Sequence, residues 1–251
     1  MNAKLYPFKA NLLVTLPIFL IVFAAGGCQT NAPLDGQNLV VLVPGCAGDG
    51  FWYNDLRQSV AAAQPARTIR TFEWGMPLPL YMLNLQDQKI HSKAEKSLAK
   101  AIKSWRDRYP SGHLALVGHS AGCGVILGSL SRIDKTVSVE NVVLLAPSIS
   151  PNYPISPALR QIAGRLHLFF SDADTLWLGW RTQTFGTYDS IHSEAAGKIG
   201  LNLDHLDPAM RQKVVQHSYE PQFADLGNGG GHFGGLGRKF DERVVAPLIA
   251  P

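Results

Sequence analysis

The chain has 251 residues, of which 46% are hydrophobic and 17% are charged, and its formal net charge is +4. This composition excludes an intrinsically disordered chain. It is sufficient for one domain whose core needs no disulfides. No run of basic residues stands out, so the charge does not indicate a nucleic-acid partner.

The first 27 residues are typical of a secretory signal peptide. Lys4 and Lys9 precede an apolar stretch that ends in small residues, NLLVTLPIFLIVFAAGG. The stretch contains a proline and is short for a membrane span. The sequence therefore predicts an exported protein, with a signal peptide at 1–27, a polar tether at 28–37 and a folded domain at 38–251.

Cys28 directly follows this apolar stretch. The segment resembles the lipobox of bacterial lipoproteins, in which the cysteine thiol carries a diacylglyceryl group. The resemblance implies a lipid anchor at Cys28, and Gln29 after it implies the outer membrane. A cleaved signal without lipid, giving a periplasmic or secreted protein, and an uncleaved anchor are the alternatives.

Short apolar runs then alternate with helical patterns, which predicts an α/β domain with a mostly parallel central sheet and helices on both faces. The predicted strands are 38–45, 66–75, 113–118, 139–147, 165–174 and 212–220. The predicted helices are 53–63, 86–108, 121–133, 158–164 and 239–249. The segment 184–208 has no clean period and is predicted to be loop with a small strand or helix.

The stretch GHSAG at 118–122 joins a predicted buried strand to a predicted helix. The pattern G-x-S-x-G alone is common by chance, but this context suits a nucleophilic serine. A sharp turn would lift Ser120 out of the sheet, and Gly118 and Gly122 would relieve crowding. The backbone N–H of Ala121, at a helix N-terminus, would face developing negative charge. The alternative is a serine in an ordinary tight turn.

With GHSAG at 118–122 as a nucleophile elbow, the chain resembles the α/β-hydrolase superfamily over nearly all of the predicted domain. The resemblance implies the α/β-hydrolase fold and a triad in the order serine, acid, histidine. In FFSDADTLW it selects Asp174 as the acid, with Asp172 as the alternative. In GNGGGHFGG it selects His232, with His205 as the best alternate. His119, inside the elbow, is expected to point away from the position of the base.

The same resemblance implies an oxyanion hole formed by the backbone N–H groups of Cys46 and Ala121. Cys46 lies in PGCAGDG after the first predicted strand, and Cys123 lies three residues beyond Ser120. The two cysteines are either small buried residues or a disulfide that clamps the two loops, which an exported compartment permits.

Aromatic residues cluster in sequence beside these positions. They either pack in the core or wall an apolar pocket for an acyl or alcohol group: Phe51, Trp52, Tyr53, Trp177, Trp180 and Phe233. The histidines and cysteines lack metal-ligand spacing, and no P-loop lysine follows the glycine-rich loop. No metal and no cofactor is therefore expected.

Together these features predict a serine hydrolase that cleaves a small-molecule ester or a lipid through Ser120, His232 and Asp174 and an acyl-enzyme. Thioesters are included among the expected substrates. Two rival functions remain open on the same fold. One is a non-catalytic lipoprotein that serves as a binding module, and the other is cofactor-free haloperoxidase chemistry on the same triad.

Overall fold

A computed structural model describes residues 33–77, 80–134 and 137–249. The predicted signal peptide and Cys28 lie outside the described residues, so export and lipidation remain predictions. None of the helices in the described part of the chain combines the length and the apolarity that a membrane crossing requires.

The strands of the domain form one six-stranded sheet. Their bounds are β1 Asn38–Val43, β2 Thr68–Thr71, β3 His113–His119, β4 Val142–Leu145, β5 Leu166–Phe170 and β6 Val214–Ser218. The lateral order is β2-β1-β3-β4-β5-β6, and every neighbouring pair is parallel. The predicted α/β class and parallel sheet are confirmed. Most strands are shorter than predicted; β4 ends at Leu145 because Ala146 leaves the extended region with φ 46°.

Helices connect these strands. Their bounds are α1 Asn54–Ala63, α2 Leu83–Gln86, α3 Gln88–Arg108, α4 Ala121–Leu130, α5 Ser156–Leu159, α6 Thr182–Phe185, α7 Ala196–Ile199, α8 Pro208–Gln212, α9 Arg238–Phe240 and α10 Ala246–Leu248. The predicted helix 86–108 is divided at Asp87, whose side chain accepts a hydrogen bond from Lys89 N–H and caps α3. Single π-helical segments precede α6 at Leu176–Arg181 and join α9 to α10 at Asp241–Val245.

The core consists of two apolar layers, one on each face of the sheet. Along β1, Leu39 and Val41 belong to the layer that contains α3 and α4. Val40 and Leu42 belong to the opposite layer, which contains α1 and the C-terminal helices. This alternation arises because successive strand residues point to opposite faces. The continuous apolar run of β1 therefore reflects burial on both sides.

The strand order reverses direction around β1. The chain runs from β1 outward to β2 and then crosses to β3 on the other side of β1. In open parallel sheets, ligands bind at such a switch point, outside the carboxyl ends of the strands. The loop after β1 and the turn after β3 meet at this position, and they contain Cys46 and Ser120.

The last residues of the predicted tether pack against the domain. Leu34 is buried, and Trp105 Nε1–H donates a hydrogen bond to the carbonyl of Gly36 at 2.8 Å. Residues 34–36 therefore pack against the domain, and α3 holds the turn at Gly36.

Candidate functional site

Ser120 occupies a strained turn between β3 and α4. Its backbone has φ 53° and ψ −124°, a conformation that residues with a side chain rarely adopt. Its N–H donates to the carbonyl of Leu145 at 3.0 Å, and its own carbonyl accepts from Ser148 N–H at 3.3 Å. These bonds to the end of β4 hold the turn. Strain of this kind costs about 1–3 kcal/mol and is concentrated at functional sites.

Glycines allow the elbow and the loop after β1 to come into backbone contact. A Cβ atom at Gly122 would lie 2.3 Å from the carbonyl oxygen of Val43 and 2.4 Å from that of Pro44. A Cβ atom at Gly45 would lie 3.1 Å from the Cβ of Ser120. The sequence predicted that only small residues fit beside Ser120. The carbonyl oxygens at the end of β1 are the atoms that a larger residue at Gly122 would meet.

The structure brings Ser120, His232 and Asp174 together. Ser120 Oγ lies 3.0 Å from His232 Nε2, and His232 Nδ1 lies 2.7 Å from Asp174 Oδ2. All three side chains are buried. The second carboxylate oxygen, Asp174 Oδ1, accepts a hydrogen bond from Leu178 N–H at 3.4 Å, at the start of the π-helical segment. The imidazole is thus held between a hydroxyl and a carboxylate.

The alternative residues from the sequence lie elsewhere. Asp172 and His205 are exposed. A further histidine, His217, belongs to β6, where its Nε2 lies 3.1 Å from His167 Nδ1 and its ring stacks on Phe169. Asp174 is therefore the carboxylate that faces the imidazole paired with Ser120.

The loop that carries His232 is shaped by its glycines and packed by aromatic rings. Gly230 has φ 77°, a left-handed conformation that glycine adopts without strain. Its N–H donates to Asn228 Oδ1 at 2.9 Å. The Trp177 ring stacks on the imidazole at 5.5 Å between centroids and 18° between planes, and Phe233 meets it edge-on. The ring of His232 is thereby fixed on two sides.

His119 links three loops of the site. Its Nε2 lies 2.9 Å from the carbonyl of His232, which can only accept, so Nε2 carries the proton. Its Nδ1 therefore accepts from the Tyr53 hydroxyl at 2.9 Å, and that hydroxyl accepts from Gly45 N–H at 2.8 Å. Burial lowers the pKa of His119 to about 3, so the ring is neutral. His119 was expected to point away from the position of the base; its network was not predicted, since no local pattern records it.

Both cysteines near the elbow are free thiols, so the disulfide considered above is not formed. Burial raises the pKa of Cys46 to about 11 and that of Cys123 above its ordinary range, which keeps both thiols protonated. Cys46 lines the cavity beside Ser120. Ala121 is the first residue of α4, where backbone N–H groups have no partner within the helix.

A cavity of about 150 Å³ opens onto Ser120. Apolar and aromatic side chains form most of its lining: Cys46, Ala47, Trp52, Tyr53, Tyr81, Leu85, Trp177, Leu178, Phe185 and Phe233. Four of the six predicted aromatic residues are among them, whereas Phe51 and Trp180 do not line it and are 79% and 61% exposed. Tyr81, Leu85 and Phe185 were not predicted, because their segments carry no pattern that indicates a cavity.

Polar groups also reach this cavity. Arg181, Thr182 and Ser148 line it, and the Arg181 guanidinium lies 4.4 Å above the centre of the Trp177 ring. None of these three was singled out in the sequence. Within the described ranges, no group of three or more His, Cys, Asp or Glu side chains is arranged to hold a metal ion.

No protein-family model matches the chain, and no curated protein matches it either. Among solved structures, the chain is similar to the esterase PE8, with 18% identity and a TM-score of 0.44 over 78% of this chain and 85% of that one. It is similar to a Trichoderma reesei cutinase, solved with a phosphonate inhibitor, with 16% identity and a TM-score of 0.41 over 88% and 80%. It is also similar to a lipase/esterase from Lactobacillus plantarum, with 12% identity and a TM-score of 0.46 over 76% and 80%. At these values the likeness carries no functional inference.

Proposed function

We propose that this chain is a serine hydrolase of the α/β-hydrolase type that cleaves carboxylic esters, with Ser120 as the nucleophile. One observation supports the proposal: two buried hydrogen-bond contacts join the three side chains, from Ser120 Oγ to His232 Nε2 at 3.0 Å and from His232 Nδ1 to Asp174 Oδ2 at 2.7 Å. A serine hydroxyl needs a positioned base, and the base needs a group that fixes its tautomer.

In the proposed reaction, His232 Nε2 takes the Ser120 proton as Oγ attacks the ester carbonyl carbon. The carbonyl oxygen becomes negative and accepts hydrogen bonds from the backbone N–H groups of Cys46 and Ala121. Asp174 stabilises the imidazolium that forms. His232 then returns the proton to the departing alcohol, leaving an acyl-enzyme. His232 then deprotonates a water that attacks this ester, and it returns the proton to Ser120 Oγ as the acid is released.

The cavity indicates short substrates. Its volume is about 150 Å³, and an apolar cavity of about that size binds a molecule as large as benzene. We therefore propose that the best substrates have acyl groups of roughly six heavy atoms. A long fatty acyl chain would extend past the wall into solvent.

The test combines an activity-based label with an ester series. A fluorophosphonate should label the wild-type protein and leave Ser120→Ala unlabelled. Nitrophenyl esters of increasing acyl length should be cleaved best when the acyl group is short. Exposed Ser104 offers a matched control, since Ser104→Ala should label like wild type. Absence of labelling in wild type would favour the non-catalytic binding module, and a parallel perhydrolysis assay would reveal haloperoxidase chemistry.

We also propose that the protein is exported and carries a lipid at Cys28, supported by the N-terminal sequence alone. Expression in a bacterial host with a labelled fatty acid should give a labelled, membrane-associated protein. Cys28→Ala should remove both the label and the association. A wild-type protein without label would leave a cleaved signal or an uncleaved anchor.

A further inference from the structure

One hydroxyl in the wall of the Ser120 cavity has no role in holding the fold. Ser148 is 3% exposed and lines the cavity, and its Oγ has no hydrogen-bond partner among the described residues. A buried hydroxyl without a partner costs about 1–3 kcal/mol. Buried polar groups are nearly always paired, so this one calls for a partner that the folded chain does not supply.

The backbone holds Ser148 firmly beside the nucleophile. Its N–H donates to the carbonyl of Ser120 at 3.3 Å, and its carbonyl accepts from Tyr188 N–H at 2.7 Å. Two residues earlier, Ala146 has φ 46°, and its N–H donates to the carbonyl of Phe169 at 3.1 Å. The strained end of β4 is therefore pinned on both sides, and only the rotation of the Ser148 hydroxyl is left free.

The other buried hydroxyls around the cavity are already engaged. Tyr53 Oη donates to His119 Nδ1, and Ser120 Oγ faces His232 Nε2. Thr182 Oγ1 donates to the carbonyl of Leu178 at 2.7 Å. Tyr81 and Arg181 also line the cavity, so a water shared between them and Ser148 Oγ is what a polar group of the substrate would displace. The partner that fits is a polar group brought by the substrate.

We propose that Ser148 Oγ is a specificity-determining group that hydrogen-bonds a hydroxyl or oxo substituent on the acyl chain. The inference rests on the proposed ester hydrolysis at Ser120. It names the preferred substrates as esters of short hydroxy or oxo acids, in preference to esters of plain alkanoic acids. Because the cavity holds about six heavy atoms, the polar substituent lies within a few bonds of the ester carbonyl.

The test compares two esters of equal length, 4-nitrophenyl 3-hydroxybutyrate and 4-nitrophenyl butyrate. Wild type should have the higher kcat/KM on the hydroxy ester. Ser148→Ala should lower the ratio of the two kcat/KM values by about 5- to 10-fold, the effect of one neutral hydrogen bond. Ser148→Thr, which retains a hydroxyl, should recover most of the ratio.

Thr182→Val is the matched control, since it removes a hydroxyl from the same cavity that is already bonded within the fold. It should keep the wild-type ratio. A ratio that stays within about twofold in Ser148→Ala overturns the inference, and equal losses on both esters would assign the hydroxyl to the oxyanion or to packing. If hydrolysis depends on Ser120 but Ser148→Ala does not change the ratio, only the inference about Ser148 is rejected. A wild type that neither labels nor hydrolyses rejects the proposed function with it.

Discussion

The floor and the wall of the Ser120 cavity are built in different ways. In the floor, the backbones of the elbow and of the loop after β1 touch, and a Cβ atom at Gly122 would overlap a carbonyl of β1. In the wall, side chains such as Phe185 and Phe233 are partly exposed, 39% and 47%. The floor therefore fixes the groups proposed to react, whereas single side chains of the wall can be replaced to test the proposed selection of substrates.

The largest expected effect comes from the carboxylate that orients His232 at the floor. Asp174→Asn should lower kcat by about 10⁴-fold, because the imidazole loses its oriented tautomer. The neighbouring exposed Asp172 supplies the control, and Asp172→Asn should stay within about twofold of wild type. Steady-state kinetics on a short nitrophenyl ester measure both. Equal losses in the two variants would contradict the assignment of Asp174.

The next effect concerns the backbone contact beneath the elbow. Gly122→Ala would place a methyl group 2.3 Å from the carbonyl oxygen of Val43, which should lower the free energy of unfolding by about 3 kcal/mol. Gly229→Ala is the control, since a Cβ atom there meets nothing within 4 Å. Urea denaturation of the two variants would measure the difference. If Gly122→Ala is as stable as Gly229→Ala, the backbone contact between the elbow and β1 can move apart to accept a methyl group.

A smaller loss is expected from the network around His119. His119→Phe keeps a ring of similar size but leaves the Tyr53 hydroxyl and the His232 carbonyl without their partner. We expect kcat/KM to fall about 10-fold, mostly through kcat, because the loops at Gly45 and His232 lose a common anchor. Tyr53→Phe removes only the link to Gly45 and should cost less. A purely structural role would lower stability and leave kcat unchanged.

The same variant makes a pH-dependence testable. The pKa of His119 falls from 6.5 to about 3 in the folded protein, so the unfolded chain takes up a proton first as the pH drops. This contribution to stability is full above pH 6.5 and is lost as the pH falls toward 3, by about 1.4 kcal/mol per pH unit. Urea midpoints at pH 7 and pH 5 should therefore differ less in His119→Phe than in wild type. His167, whose pKa is lowered by burial to about 4, adds to the remaining slope.

The smallest effect belongs to the wall. Phe185→Ala should raise KM for a short ester about threefold and shift the preference toward longer acyl groups, because the cavity gains volume. Phe51→Ala removes a phenylalanine that does not line the cavity and should leave the acyl preference unchanged. An acyl-length series on both variants separates the two outcomes. A fall in kcat for Phe185→Ala would contradict this prediction, because it would show that Phe185 helps to position the groups proposed to react.

The sequence predicted the parts of the fold that depend on local patterns. The apolar runs gave the buried strands, and the small residues flanking Ser120 indicated the elbow before any contact was known. Asp174 and His232 came from a resemblance in chain order, with Asp172 and His205 still open. Choosing between Asp174 and Asp172, and between His232 and His205, requires knowing which loops meet, and that depends on the lateral order of the strands.

The remaining features arise from contacts between distant residues. The bond from His119 to the carbonyl of His232 joins positions 113 residues apart, and no periodicity records it. Ser148 looks like any polar residue after a strand, and its missing partner is visible only once its surroundings are known. The π-helical segment after Asp174, which presents Leu178 N–H to the carboxylate, also breaks the period on which sequence patterns depend.

The left-handed backbone of Ser120 sets the proposed reactivity of this residue against thermal stability. Glycine would adopt that conformation without strain, so the fold would gain about 1 kcal/mol if this residue lost its side chain. An enzyme selected only for heat resistance would replace it. Substitutions that raise the melting temperature are therefore better placed in the outer layers of the protein than at this turn, where the proposed chemistry needs the strained serine.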